Sequence, residues 1–278
     1  MDALEFRCKE CHKRAEAQYT LDSVRASLAR QEDTIIFALI ERAKFPLNSV
    51  GYSQLFLSEE YCGPMINGLF LKTEAVQSKA GRYINPEENP FFPENLPPSA
   101  APDYPFSEFL QGAGASINTN KEIWKMYFDD LIPMFIRWGD DGNYAQTALA
   151  DLKLLQAISK RIHYGKFVAE VKFRESPKIY EPLIRAKDRE ALMNELRSES
   201  VEERVVKRVE RKATVFGQQV SLEYDVSGDT YMINSVAPKL FKKYLIPKTT
   251  NVQVEYLLKR LLKPSLHSQI NKLISCFC

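Results

Sequence analysis

An all-α chain, folded as a single multi-helix domain about one long central helix, is expected from three features of this sequence. Apolar residues recur three, four or seven apart over most of its length, the period that lines one face of a helix. The stretch from Thr147 to Phe173 runs 27 residues without a proline and keeps that period at Ala148, Leu152, Leu155, Ile158, Ile162 and Val168. Only one short segment, Val220, Leu222, Tyr224 and Val226, alternates as a strand would, and it reads more economically as a loop with a turn at Gly228-Asp229.

Residues 1–19 read as a flexible polar tail. From Thr20 to Lys44, apolar positions at Leu21, Val24, Leu28, Ile35, Leu39 and Ile40 predict a long amphipathic helix that Pro46 ends. Residues 53–83 are less regular but helix-compatible at Met65, Leu69, Leu71 and Val76. Seven prolines between Ile84 and Pro105 then impose an extended surface connection. Helical spacing resumes at Ile123, Met126, Tyr127, Leu131 and Ile132, and Gly139-Asp140-Asp141-Gly142-Asn143 is turn chemistry without the ligand spacing of a calcium loop. After the central helix come a short helix over Glu181 to Leu196, another over Val201 to Phe216, and two more over Ala237 to Leu245 and Thr249 to Leu262. The domain is therefore drawn at 20–262, with 263–278 as an appended tail.

The 278 residues are 45% hydrophobic, enough for a sizeable core, and 38 Lys+Arg against 36 Asp+Glu leave a net charge of +2. That balance disfavours nucleic acid as a partner. No apolar run is long enough to span a membrane, and the acidic, polar N-terminus lacks the character of a signal or transit peptide, so a cytosolic protein is expected. The five cysteines crowd the two ends, which is no disulfide framework. Cys8-Lys9-Glu10-Cys11-His12 spells a haem-attachment pattern and holds three potential zinc ligands. Both readings are set aside: the first needs export, the second further ligands from a chain whose other histidines are only His163 and His267. No metal or cofactor is expected.

Arg161 and Lys172 stand eleven residues apart, within roughly 20° of one another around a helix and about 16 Å along it. Gly165 and Ala169 lie between them, giving either a bare floor on which two cations clamp a small dianion or a solvated face with small residues for close packing. Ser200-Val201-Glu202-Glu203 reads as a capping box that occupies Glu203 and leaves Glu202 open to a ligand hydroxyl, or simply placed at a helix N-terminus. Thr250 to Gln253 repeats the box spacing, with Thr249 four residues before Gln253; cap and ligand contact both stay open. There is no phosphate-binding glycine loop, nucleophile elbow or dinucleotide fingerprint.

Four stretches, LDSVRASLARQEDTIIFALIERAKF, RYINPEENPFFPENLP, GDDGNYAQTALADLKLLQAISKRIHYGKFVAEVKF and IPKTTNVQVEYLLKRLL, together resemble the plant and fungal chorismate mutases over about residues 20 to 262. The resemblance implies a homodimeric helical bundle that converts chorismate to prephenate, in Phe and Tyr biosynthesis, by a pericyclic rearrangement without a cofactor. It further implies that Arg25 and Arg161 grip the substrate carboxylates, Lys172 and Gln253 donate to the ether oxygen, Glu202 holds the hydroxyl, and Thr249 completes the site. Ser198 stands where the family has an asparagine in contact with the substrate. Fungal members carry glutamate at the Gln253 position. The effector pocket implied for regulated members is represented by Arg82, Gly142 and Asn143, but Ala145-Gln146 replaces a Gly-Ser pair and Gly81 a second arginine. Weak or absent control by aromatic amino acids is therefore expected, as in the cytosolic plant isoforms. Two other readings stand beside the enzyme: a catalytically idle helical interaction protein that retains the fold, and a mutase that also binds partners through the tail after Leu262.

Overall fold

The computed structural model describes residues 19–262 apart from 54, 59–60, 95, 103–108, 221–225 and 231–232, so the CxxCH run, the rest of 1–18 and the 263–278 tail lie outside the described residues. Helix α1 (Leu21–Ala43) starts at Thr20, whose hydroxyl accepts from the Ser23 amide while the Ser23 hydroxyl accepts from the Thr20 amide, a reciprocal cap that satisfies two of the orphan donors at a helix start. A hairpin, β1 (Leu55–Ser58) paired antiparallel with β2 (Tyr61–Pro64), leads into α2 (Met65–Lys79). The helix expected across 53–83 is thus confined to its second half, with Pro64 at its start. The proline-rich connection follows as expected, irregular through Pro102.

Helix α3 (Asn120–Met126) continues through a π turn (Tyr127–Leu131) to Phe135. The central run divides into α4 (Tyr144–His163) and α5 (Gly165–Glu175), tightened at Tyr164 but sharing one direction, since the Tyr164 amide still bonds Lys160 and that of Val168 bonds Tyr164. Expected as one short helix, residues 181–196 are two, α6 (Pro177–Ala186) and α7 (Arg189–Leu196), because Lys187 turns left-handed at φ 55° and Asp188 caps the second through the Ala191 amide. Helix α8 (Glu199–Phe216) begins at an extended Ser198, two residues before the expected cap, so the Ser200–Glu203 box does not form. The loop reading is corrected at its described ends: β3 (Gln218–Val220) pairs antiparallel with β4 (Val226–Thr230), and Gly228-Asp229 lies within the strand, while Leu222 and Tyr224 lie outside the described residues. Helix α9 (Ile233–Leu240) passes through a second π turn (Phe241–Leu245) into α10 (Ile246–Arg260); Thr250 is therefore no cap, and its hydroxyl bonds back to the Ile246 carbonyl.

Three apolar clusters hold these layers, the smallest joining α1 to α5 through Val24, Phe167 and Val171. Of the two larger, the first joins α1, α2, α3, α4, α8 and α9 through Ile35, Leu39, Phe70, Tyr127, Leu155, Ile158 and Leu240; the second joins α5, α6, α7 and α10 through Ala169, Ile184, Leu192, Val254 and Leu257. The first contains a fully buried ion pair. Arg42 at the end of α1 donates to Asp151 on α4 at 2.6 Å, and the hydroxyls of Tyr52 and Tyr127 donate to the same carboxylate, also at 2.6 Å. Arg42 also reaches the carbonyls of Phe45 and Pro46. Burial pushes both tyrosine hydroxyls up, keeping them protonated donors. Such a pair stabilises only while complete, because removing one partner strands a buried charge. Asp151→Ala should cost about 3–5 kcal/mol of unfolding free energy in a urea titration, with an unchanged denaturant slope; a loss under 1 kcal/mol would refute the structural role.

Candidate active site

The side chains of Arg25, Arg161, Lys172, Ser198, Glu202, Thr249 and Gln253 line one cleft with about 150 Å³ of free space. Five helices supply them, so residues as much as 228 positions apart (253 − 25) meet only through the packing of α1, the α4–α5 rod, α8 and α10. Apolar walls that sequence reasoning did not single out come from Leu21, Leu28, Val168, Leu196, Val205 and Ile246. Leu21 and Leu28 lie four before and three after Arg25 on one helical face, the signal by which they were legible.

Of the two readings left open for Gly165 and Ala169, the bare floor does not hold and close helix packing does. Val168, seven residues after Arg161 and four before Lys172, faces the cleft, whereas Ala169 packs among Val254 and Leu257 of α10. Gly165 also faces α10: a Cβ there would stand 2.7 Å from the Thr249 carbonyl oxygen and 3.4 Å from Gln253 Cγ. The small residues therefore let α10 close onto α5 and carry Thr249 and Gln253 to the cleft.

Arg161 is 5% exposed and has no ion-pair partner among the described residues. Its Nη1 donates to the Thr249 hydroxyl at 3.1 Å, and that hydroxyl donates onward to the Leu245 carbonyl at 2.6 Å, while Nε has no hydrogen-bond partner among the described residues. Burial holds its pKa down to about 10, with nearby Arg208 working in the same direction and Glu32 opposing. Glu32, fully buried, is already committed to a bidentate pair with Arg208 at 2.6 and 2.8 Å and to Lys212 at 3.1 Å. The Gln253 carbonyl oxygen is likewise buried without a partner among the described residues.

Lys172 Nζ donates to the Leu196 carbonyl at 2.8 Å; burial and then the charge of Arg25 lower its pKa. Arg25 sits at the mouth, 55% exposed and 3.9 Å from Asp22. Glu202, in the first turn of α8, is held by Arg197. His163 is on the buried side of the rod: its Nε2 accepts from the Thr119 amide at 2.9 Å and its Nδ1 donates to the Ser159 carbonyl at 2.8 Å, with burial pushing its pKa down to about 3, so it is a neutral packing group rather than a base at the cleft. Among the described residues no cluster of His, Cys, Asp and Glu is arranged to hold a metal ion, and no helix is long and apolar enough to cross a membrane.

The cleft thus presents three cations, a carboxylate and an amide to a small anion, and family comparison agrees with that chemistry. Residues 143–254 match the family described as chorismate mutase type II. A relative named chorismate mutase 2, from Arabidopsis thaliana, is 51% identical over 247 residues, covering 87% of this chain and 93% of its own length. The chain belongs to the chorismate mutase family. Its activity is therefore an isomerisation, that of chorismate mutase. Two solved structures share the fold: AtCM1 with phenylalanine bound in its allosteric site (TM-score 0.78, 45% identity, 88% of this chain and 97% of that one) and Aro7p chorismate mutase of Candida albicans in complex with L-Trp (TM-score 0.82, 33% identity, 92% and 97%). Relatives in Zea mays are named as chloroplastic and as cytosolic.

The elements implied for an effector pocket are also located. Arg82 is tied to Glu88 at 2.8 and 3.1 Å and to Gln156 at 2.7 Å. Gly142 (φ 77°) and Asn143 lead into α4, with Ala145 and Gln146 exposed on its first turn. Gly81 adopts φ 85°, and a Cβ there would lie 2.9 Å from that of Ala101, which explains why glycine rather than arginine stands at this position.

The close approach at Gly165 yields a direct test of how the cleft is assembled. Gly165→Ala must displace α10 backbone, so it should destabilise the protein by about 1–3 kcal/mol and lower kcat/KM at temperatures where the variant is fully folded. Wild-type kinetics in the folded variant would show that Thr249 and Gln253 need no such closure.

Proposed function

We propose that the cleft lined by these seven residues is where chorismate is rearranged to prephenate, with each side chain in the role the sequence resemblance implies. The observation that carries the reading is Arg161, a buried guanidinium without a counter-charge among the described residues, lining a cleft with two further cations. A buried unpaired cation is costly, and a ligand carboxylate offsets that cost. Arg25 at the mouth takes the second carboxylate. Pinning both acid groups holds the compact conformer in which the reacting carbons meet, an orientation effect that freedom in water opposes.

As the C–O bond breaks, negative charge grows on the ether oxygen. Lys172 and the Gln253 amide donate there, an interaction stronger in the transition state than in the substrate, and it is this difference that speeds the reaction. Glu202 accepts from the ring hydroxyl. Thr249 fixes the guanidinium of Arg161, and Ser198 stands at the rim. No proton is transferred, so no general base enters. Purified protein should consume chorismate, followed by loss of its absorbance, and Lys172→Ala should reduce kcat about 10²- to 10³-fold; unchanged turnover in that variant would remove the lysine from the mechanism. A wild-type protein inert in the same assay would favour the idle helical interaction protein instead.

The pH dependence follows from the same groups. Arg161 and Lys172 act as cations, and their lowered pKa values cost activity only as pH rises. Gln253 is an amide that donates at any ordinary pH. The rate should be flat from about pH 6 to 8 and fall on the alkaline side. Gln253→Glu should instead confine activity to acidic pH, because only the protonated acid donates; a variant active and flat up to pH 8 would exclude the donor role.

We further propose a homodimer of the 20–262 domain. The α1–α4 face supports it: Phe37 is 52% and Leu149 46% exposed, beside a groove that includes Ala38, Ala150 and Ala157. Weak or absent control by aromatic amino acids is the reading we retain, although related structures hold phenylalanine and tryptophan. It is supported by Ala145-Gln146 and Gly81 at the positions above and by an Arg82 already engaged with Glu88 and Gln156. Millimolar Tyr or Trp should change the rate less than twofold; a severalfold response would overturn this. The cytosol is the compartment proposed, in keeping with the Zea mays relative named as cytosolic, which is 44% identical and of which this chain covers 97%.

A further inference from the structure

The turn from Leu196, the last residue of α7, through Arg197 into α8 meets two charged groups of the cleft, Lys172 and Glu202. Leu196 offers its carbonyl to Lys172 Nζ at 2.8 Å. The next residue, Arg197, caps α7 with its amide on the Met193 carbonyl and then takes extended backbone at φ −80°, ψ 149°. Its side chain crosses the first turn of α8, and Nε and Nη2 each donate to a different oxygen of Glu202, at 3.2 and 3.3 Å. Glu202 is 24% exposed and lines the cleft, whereas Arg197 is 51% exposed and does not appear among the lining residues.

We infer that Arg197 is a positioning residue for Glu202, its fork aiming the carboxylate so that a remaining lone pair on each oxygen can take the hydroxyl of the substrate. A planar guanidinium with two parallel donors fixes the plane of a carboxylate in a way a single ammonium cannot. Free of that fork, the three rotatable bonds of Glu202 would let its head turn into solvent at the cleft mouth. Half-exposed ion pairs contribute little to folding, so removing Arg197 acts on the orientation of Glu202 and leaves the fold intact. The inference rests on the role of Glu202 proposed above.

The experiment is a kinetic double-mutant cycle on the full chain with chorismate as substrate. Arg197→Ala should raise KM about three- to fivefold with kcat nearly unchanged, since Glu202 binds a group that is the same in substrate and transition state. Arg197→Lys should recover part of the loss, and thermal midpoints should match the wild type. In a Glu202→Gln background, Arg197→Ala should add nothing. An unchanged KM in Arg197→Ala, or two effects that simply multiply in the double variant, overturns the inference while leaving Glu202 in its role. Wild-type KM and kcat in Glu202→Gln alone would instead remove the role of Glu202, and the inference with it.

Discussion

A positive charge kept out of water without a carboxylate among the described residues to neutralise it is the constraint on which this molecule is organised. Arg161 is held there by a threonine hydroxyl on one helix and by the diversion of the nearest acid, Glu32, into a separate pair with Arg208 and Lys212. Burying a guanidinium this way lowers stability, and the rest of the fold offsets it through apolar layers on both sides of the α4–α5 rod. In the proposed reading, the strongest electrostatic need of this site is met by the ligand rather than by the chain.

That arrangement suits a reaction in which nothing is transferred to or from the protein. The rearrangement requires a folded substrate pose and donors waiting at one oxygen, and helices deliver both, because each functional side chain projects from an element fixed along its length. Loops would hold the donors less firmly. The same logic explains the two glycine positions that matter: Gly165 permits contact between two rods, and Gly81 permits a left-handed turn after α2.

Much of the architecture was legible in the amino-acid pattern because amphipathic helices announce themselves by period. The long first helix and the central run emerged within a few residues of their true ends. The failures were local and have physical reasons. Lys187 breaks a helix without glycine or proline to flag it, and the strand pairing around residues 218–230 involves too few alternating positions to outweigh its helical neighbours. The cap expected at Ser200 does not form, and the box spacing at Thr250 lies inside a helix, because a box pattern says nothing about whether the helix has already begun. Arg161 and Lys172 could be placed on one stripe, but not which neighbours shared the opening: Val168 lies between them on the cleft side while Gly165 and Ala169 serve the packing of α10. The buried charges Arg42, Asp151 and Glu32 carry no sequence signature, since partner residues up to 176 positions apart satisfy them. All six catalytic assignments rest on family likeness; spacing alone marks Arg161 and Lys172, leaves Glu202, Thr249 and Gln253 open between cap and ligand contact, and does not mark Arg25.

The most direct test of the buried-cation account is a crystal structure of the protein with a stable dicarboxylate mimic of the cyclic transition state. The account predicts one carboxylate within hydrogen-bonding distance of the Arg161 guanidinium, the second beside Arg25, and the bridging oxygen between Lys172 and Gln253. A mimic bound with the Arg161 guanidinium still unpaired, or seated outside this cleft, would contradict it.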